Sequence, residues 1–162
     1  TFNGSSIALN AALNQYNWLT AMAMIGGASK MFVNDAILEG LKDNFEPTID
    51  NIVKYSWYKN TGAFFKQKAR QRMLEAGSKV VHDDFYACSK FDVSDRLAEI
   101  DVPTLVIASD YDRMVPLKIS HDMADQLSRS TFVTLENCGH FQHIEQTSRV
   151  AKELANYLST LS

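Results

Sequence analysis

Apolar residues are distributed along this chain in two patterns: three short continuous runs, and longer stretches with helical spacing. The first run, WLTAMAMIGG at 18–27, is closed by two glycines, whereas PTLVIAS at 103–109 and STFVTLEN at 130–137 are rich in Val, Ile, Thr and Leu. Each run fits a buried strand. Helix-spaced sequence follows the second run at 117–128 and the third at 148–161. Strands that alternate with helices predict βαβ units and a parallel sheet.

Helical spacing also precedes the first strand and fills the gap before the second. Residues 6–14 carry apolar side chains on nearly all sides of a helix, which predicts burial on most sides. Residues 31–91 have no strand pattern and are too long for an ordinary crossover. We expect a helical lid over the carboxyl edge of the sheet, where open α/β folds bind ligands. Its large aromatic side chains are predicted to pack within the lid: Tyr55, Trp57, Tyr58, Phe64 and Phe65.

The pattern divides the chain into three segments. Residues 1–30 form a core helix and strand, 31–91 the lid insertion, and 92–162 the core strands and helices that carry the chemistry. A chain of 162 residues with 46% hydrophobic residues is sufficient for one globular core.

Composition excludes several classes of function. A net charge of -3 gives no electrostatic basis for binding nucleic acid, and no apolar run is long enough to span a membrane. Cys88 and Cys138 have neither metal-ligand spacing nor a disulfide framework, which predicts free thiols in a reducing cytoplasm. We therefore expect a cytoplasmic protein with no metal and no organic cofactor.

The candidate chemistry follows the last two predicted strands. DYDRMVP at 110–116 comes after the second, and CGHFQHIEQ at 138–146 comes after the third. Neighbouring parallel strands place their carboxyl-terminal loops side by side, so Asp112 and His140 can meet. An Asp that accepts the Nδ1–H of a His fixes the tautomer, and Nε2 then serves as a general base.

These motifs together resemble the last third of an α/β-hydrolase-fold enzyme. The resemblance is carried by IDVPTLVIASDYDRMVP and LENCGHFQHIEQTSRVAKELANYL, in that order and separation. It implies that Asp112 is the acid and His140 the base of a catalytic triad, with Asp110 as the competing carboxylate. It further implies that His143 has a structural place under the loop and that Glu145 anchors the loop. His82 and His121 belong to no motif and are expected to be surface or helix histidines.

The opening TFNGSSIALNAAL can be compared with the family's nucleophile elbow, G-x-S-x-G-G before a helix. Without a gap, Phe2 occupies the nucleophile position and Ser5 replaces the second glycine, so no nucleophile is present. Three alternatives are a serine upstream of Thr1, a shifted elbow at Ser6, and Thr1 itself as an amino-terminal nucleophile. Ser5 and Ser6 are otherwise expected to be helix N-caps. One oxyanion-hole amide would lie at or just before Asn3.

Two classes of function follow from the resemblance. The first is a serine hydrolase that acts on an ester, thioester or similar acyl substrate with an apolar group. The second is a non-catalytic hydrolase-like binding or scaffold protein, or an inactive fragment. A three-stranded sheet would leave the apolar first strand with a bare edge. We therefore expect an upstream half, or a partner chain, to complete the sheet.

Overall fold

A three-stranded parallel sheet forms the centre of the computed structural model, which describes residues 2–161 and, for Phe2, the backbone alone. The strands β1 (Met22–Ile25), β2 (Thr104–Ser109) and β3 (Ser130–Leu135) lie in the order β1-β2-β3. Met22 pairs with Thr104, and Thr104 pairs with Ser130. The predicted parallel sheet is confirmed, and each strand lies inside its predicted run.

Helices cover both faces of the sheet. Helix α1 (Phe2–Leu13) and helix α6 (Leu117–Gln126) pack on one face, around Leu9, Val106 and Met123. Helix α8 (Thr147–Ser159) packs on the other face through Val150, against Leu105 and Ile107. Because both faces are covered, every residue of β2 is buried. This burial explains its unbroken apolar sequence.

The expectation of a fully buried strand is wrong at β1, and the first helix, expected to be buried on most sides, has an exposed apolar residue. Ala23 of β1 is exposed, and Ile7 of α1 is 69% exposed. The physical reason is position: β1 has only β2 as a neighbour in the described sheet, and α1 packs beside β1. Ala23 points to the face of the sheet opposite Met22 and Met24, and Ile7 lines a surface groove beside Ala87 and Phe91.

Four helices lie between β1 and β2: α2 (Asp35–Asp43), α3 (Phe45–Ser56), α4 (Ala63–Ala76) and α5 (Ser78–Lys90). They share a small apolar core that includes Leu41, Ile49 and Val81. Trp57 is buried against this core, Phe65 stacks on Trp57 with ring centroids 6.4 Å apart, and Phe64 meets Phe65 edge-on. These rings pack within the insertion as expected, although Phe64 and Phe65 stay partly exposed because α4 has no buried residue. Tyr55 of α3 is exposed, so the expected packing is wrong for that side chain.

The two ends of the insertion meet. Lys30 and Asp92 form an antiparallel bridge, and Lys30 Nζ lies 2.7 Å from an Asp92 carboxylate oxygen. A 3-10 helix, Ser94–Glu99, then leads into β2, and a short helix α7 (Gln142–Glu145) precedes α8. None of the helices in the described range 2–161 is both long and apolar enough to cross a membrane.

Candidate active site at the carboxyl edge of the sheet

Asp112 is oriented by its own loop. The loop begins where β2 ends, at Ser109, and the buried Asp112 side chain lies over the backbone of the residues that follow it. Its Oδ1 accepts the backbone N–H groups of Met114 and Val115, both at 2.8 Å. Two N–H donors hold a carboxylate in one rotamer, as in Asx turns. The second oxygen, Oδ2, is left to face the neighbouring loop.

His140 comes from the loop after β3, and the insertion fixes its backbone. The His140 N–H donates to the Ser56 carbonyl at the end of α3, at 2.8 Å. Gly139 lies directly against the same helix end: a Cβ there would approach the Tyr58 nitrogen to 2.5 Å. Only glycine permits this approach, so Gly139 brings the base loop against the insertion.

The two side chains meet in the interior. Nδ1 of His140 lies 2.8 Å from Oδ2 of Asp112, and the side chains are 3% and 1% exposed. A carboxylate accepts and does not donate, so Nδ1 carries the proton. The arrangement fixes the imidazole tautomer and supports positive charge on the ring.

Gly26, directly after β1, lies against this pair and was not identified from the sequence. Its φ is +64°, and a Cβ built there would lie 3.4 Å from both Asp112 Oδ2 and His140 Nδ1. Its N–H donates to the Ile107 carbonyl, which continues the ladder between β1 and β2. The double glycine at the end of an apolar run was the available signal.

A cavity of about 280 Å³ opens beside His140. Its wall is mostly apolar and comes from the insertion and both loops, with Met73, Phe85, Met114 and Phe141 among the lining residues. A second apolar cavity of about 450 Å³ shares Met73, Phe85 and Phe141 with the first. The space next to the Asp–His pair can therefore accept an apolar group.

Two side chains with a nucleophilic atom, a serine and a cysteine, line the first cavity, and neither was identified from the sequence as a site residue. The Ser56 hydroxyl donates to the Ile52 carbonyl of its own helix at 2.6 Å. The Cys88 thiol donates to Asn3 Oδ1 at 2.8 Å, and burial raises its pKa to about 11. A bound hydroxyl and a protonated thiol are poor nucleophiles.

The opening residues lie in helix α1. Ser5 and Ser6 lie within its first turns and not at its N-cap, because the helix already includes Phe2. Ser6 lines a groove that does not include His140, so the structure does not bring this candidate nucleophile to the base. Asn3 does line the His140 cavity. Thr1, the possible amino-terminal nucleophile, and the side chain of Phe2 lie outside the part of the chain that the structure describes.

Of the other predicted residues, Asp110 is exposed and accepts the Cys138 N–H at 3.3 Å, away from the Asp–His pair. His143 is exposed on α7, so the expected place under the loop is wrong, although partial burial of its ring still lowers its pKa. Glu145 Oε2 accepts the Tyr58 N–H at 2.9 Å and the Thr61 hydroxyl at 2.7 Å. These two bonds tie the base loop to the insertion.

The remaining histidines both lie in helices. His82 in α5 contacts Asp83 and stacks on Tyr86, and His121 in α6 lies 3.1 Å from Asp125. Neither lines the cavity at His140. Among the described residues no group of three or more His, Cys, Asp or Glu side chains has the arrangement of a metal site.

Comparison with known proteins gives a consistent result. A model of the alpha/beta hydrolase fold matches residues 5–147. AB hydrolase superfamily protein YisY of Bacillus subtilis is 26% identical over 131 residues, which are 81% of this chain and 48% of YisY. RutD of Pseudomonas syringae pv. syringae, named for carbamate hydrolysis, is 39% identical over 75 residues, 46% of this chain and 29% of RutD.

A solved thermophilic esterase has the same arrangement of elements. It superposes with a TM-score of 0.89 at 25% identity, over 98% of this chain and 63% of the esterase. The chain thus matches about half or less of these curated relatives and under two thirds of the esterase.

Proposed function

Because this chain belongs to the alpha/beta hydrolase family, we propose that its protein is a serine hydrolase acting on ester, thioester or similar acyl substrates. The observation that carries the proposal is the buried Asp112–His140 pair, with Nδ1 2.8 Å from Oδ2, at the wall of an apolar cavity. The esterase similarity and the relative named for carbamate hydrolysis support acyl chemistry.

In this proposal His140 is the general base and Asp112 orients it. A serine hydroxyl gives its proton to Nε2 as its oxygen attacks the acyl carbon. His140 then returns the proton to the leaving alcohol or thiol, and water repeats the cycle on the acyl-enzyme. Asp112 stabilises the imidazolium formed in both steps, because its Oδ2 lies 2.8 Å from Nδ1 and its two N–H donors hold it in place.

The nucleophile is proposed to come from outside the described residues. The Ser56 hydroxyl and the Cys88 thiol in the cavity are both engaged elsewhere. Asn3 is proposed to contribute an oxyanion-hole amide, since it lines the same cavity and lies in the first turn of α1. N–H groups in the first turn of a helix have no partner within the helix, and they favour negative charge.

The insertion is proposed to act as a lid that selects apolar substrates. Met73 of α4, Phe85 of α5 and Phe141 of the base loop line both cavities. An acyl or ring-containing group fits this surface better than a charged group, because burial of apolar area stabilises the complex.

The outer edge of β1 is proposed to pair with a further strand, from the same protein or from a partner chain. β1 is an apolar strand at the end of the strand order, and β2 is its only neighbour in the described sheet. An open apolar edge favours association. The free, buried thiols of Cys88 and Cys138 support a reducing compartment such as the cytoplasm.

The test is hydrolysis of p-nitrophenyl esters of graded acyl length by the protein that contains this chain. We expect Asp112→Asn to lower kcat by about 10⁴-fold and His140→Ala by about 10⁶-fold, as for the acid and the base of other triads. Two matched control variants should retain activity. Asp110→Asn changes a second carboxylate in the same loop, and His121→Ala removes a helix histidine that contacts Asp125 instead of Asp112. Turnover that survives His140→Ala would refute the assignment, whereas a folded protein with no turnover would favour a non-catalytic homologue.

A further inference from the structure

A chain of buried hydrogen bonds lies beneath His140, formed by two residues with no role in the proposed mechanism. Ser109, the last residue of β2, and Gln142, the first residue of α7, are both 0% exposed. The Ser109 hydroxyl donates to the Gly139 carbonyl at 2.7 Å. The Gln142 amide nitrogen donates to the Ser109 hydroxyl at 3.2 Å.

The direction of this chain follows from its chemistry. The Gly139 carbonyl can only accept, so the single hydroxyl hydrogen of Ser109 points to it. A lone pair of Ser109 then accepts from Nε2 of the Gln142 amide, which gives the order Gln142 to Ser109 to Gly139. The Cys138 thiol lies 3.7 Å from the same Gly139 carbonyl as a second, weaker donor.

The chain ends at the peptide unit that carries the base. The Gly139–His140 peptide has its carbonyl held by Ser109 and its N–H held by the Ser56 carbonyl at 2.8 Å. A peptide that is fixed at both ends can neither flip nor slide. The Cα of His140, and hence the approach of its ring to Asp112, is set by these two bonds.

The amide of Gln142 also lies close to the pair itself. A single point, the Cβ position of Gly26, is 3.2 Å from Gln142 Nε2 and 3.4 Å from both His140 Nδ1 and Asp112 Oδ2. The three polar atoms therefore converge around one glycine.

A glutamine at this position is costly for the fold. Its amide oxygen, Oε1, is buried and has no hydrogen-bond partner within residues 2–161. A buried polar atom without a partner is destabilising, and an apolar side chain of similar size would pack without this cost. Residues that lower stability are a recurrent feature of functional sites.

From these contacts we propose that Ser109 and Gln142 are positioning residues for His140. Together they hold the base loop so that Nδ1 faces Asp112. The expected effect on kcat rests on the proposed function, whereas the expected effect on the His140–Asp112 contact does not.

The first test is structural and needs no activity. In the ¹⁵N-labelled chain, the Nδ1–H proton of His140 gives a downfield resonance while the bond to Asp112 holds. We expect Ser109→Ala and Gln142→Leu to shift or broaden it, and Ser109→Thr, which keeps the hydroxyl, to restore it. Ser120→Ala is the matched control, because it removes the hydrogen bond from another fully buried serine, to the Gly27 carbonyl at 2.8 Å.

The second test is kinetic. In the protein that contains this chain, the two variants should lower kcat for ester hydrolysis by about 10- to 100-fold with little change in KM, as expected for a misplaced base. Gln142→Leu should lower kcat without lowering the thermal unfolding temperature. Substitution of a residue with only a structural role would lower both. The double variant should be no worse than the poorer single variant, since both break one chain.

An unshifted His140 resonance in both folded variants would overturn the proposal. So would an equal shift in Ser120→Ala, because the effect would then be general. If Ser109→Ala fails to fold, Gln142→Leu alone decides. If the protein has no esterase activity, the resonance still decides the positioning role, and the proposed function fails separately.

Discussion

Gly26 provides a sharp test of how closely the fold is built around the Asp112–His140 pair. Gly26 has a φ of +64°, and a methyl group there would lie 3.4 Å from Asp112 Oδ2 and from His140 Nδ1. The perturbation is Gly26→Ala, which adds one carbon atom and no charge. Any effect on His140 must therefore come from geometry.

The expected cost has two parts. A left-handed backbone costs a non-glycine residue about 1–2 kcal/mol. A methyl group within 3.4 Å of three polar atoms forces small displacements, and overpacking of this kind costs about 1–3 kcal/mol. We expect the free energy of unfolding to fall by about 2–5 kcal/mol in total.

Gly77→Ala is the matched control. Gly77 also has a positive φ, +83°, but a Cβ there would have no neighbour within 4 Å. Its substitution should cost about 1–3 kcal/mol of backbone strain and nothing else. Urea unfolding measures the stability of both variants, and the Nδ1–H resonance of His140 reports on the pair.

Both variants should be less stable, but only Gly26→Ala should shift the His140 resonance and, in an active protein, lower kcat by about tenfold or more. The reasoning is refuted if Gly26→Ala leaves that resonance at its wild-type position. It is equally refuted if Gly77→Ala moves the resonance by the same amount.

Two further predictions concern the base loop and the thiols. Glu145→Ala removes the acceptor of the Tyr58 N–H and the Thr61 hydroxyl, so urea unfolding should show a loss of about 2–4 kcal/mol; a loss below 0.5 kcal/mol, roughly the scale of a neutral surface change, contradicts this. Burial raises the pKa of Cys88 to about 11 and of Cys138 to about 12, from 9.0. At pH 8 the thiolate fraction of Cys88 should therefore be about 100-fold lower in the folded protein than in the unfolded chain. Disulfide-exchange reagents should react slowly with this thiol until urea unfolds the protein. The unfolded chain loses these protons first, so stability should fall as pH rises above about 9, and a flat profile to pH 11 would contradict the burial.

The sequence determined the elements and their order. Period-two and continuous apolar runs differ from helical spacing within a few residues, so β2, β3, α6 and α8 were located to within a few residues. The rule that neighbouring parallel strands end at one edge was sufficient to bring Asp112 to His140 over 28 positions. Their catalytic roles stay predictions.

Only the tertiary structure decided which side chains support that pair. Ser109 and Gln142 show no sequence pattern that points to His140, and the double glycine at Gly26 did not say which side chains it meets. The resemblance implied that Glu145 anchors its loop, but only the structure shows its partner, Tyr58, 87 positions away. The exposure of Ile7 likewise depends on what packs beside α1. Local patterns record the period of one element, whereas these contacts require several elements to pack at once, and no single segment of sequence carries that information.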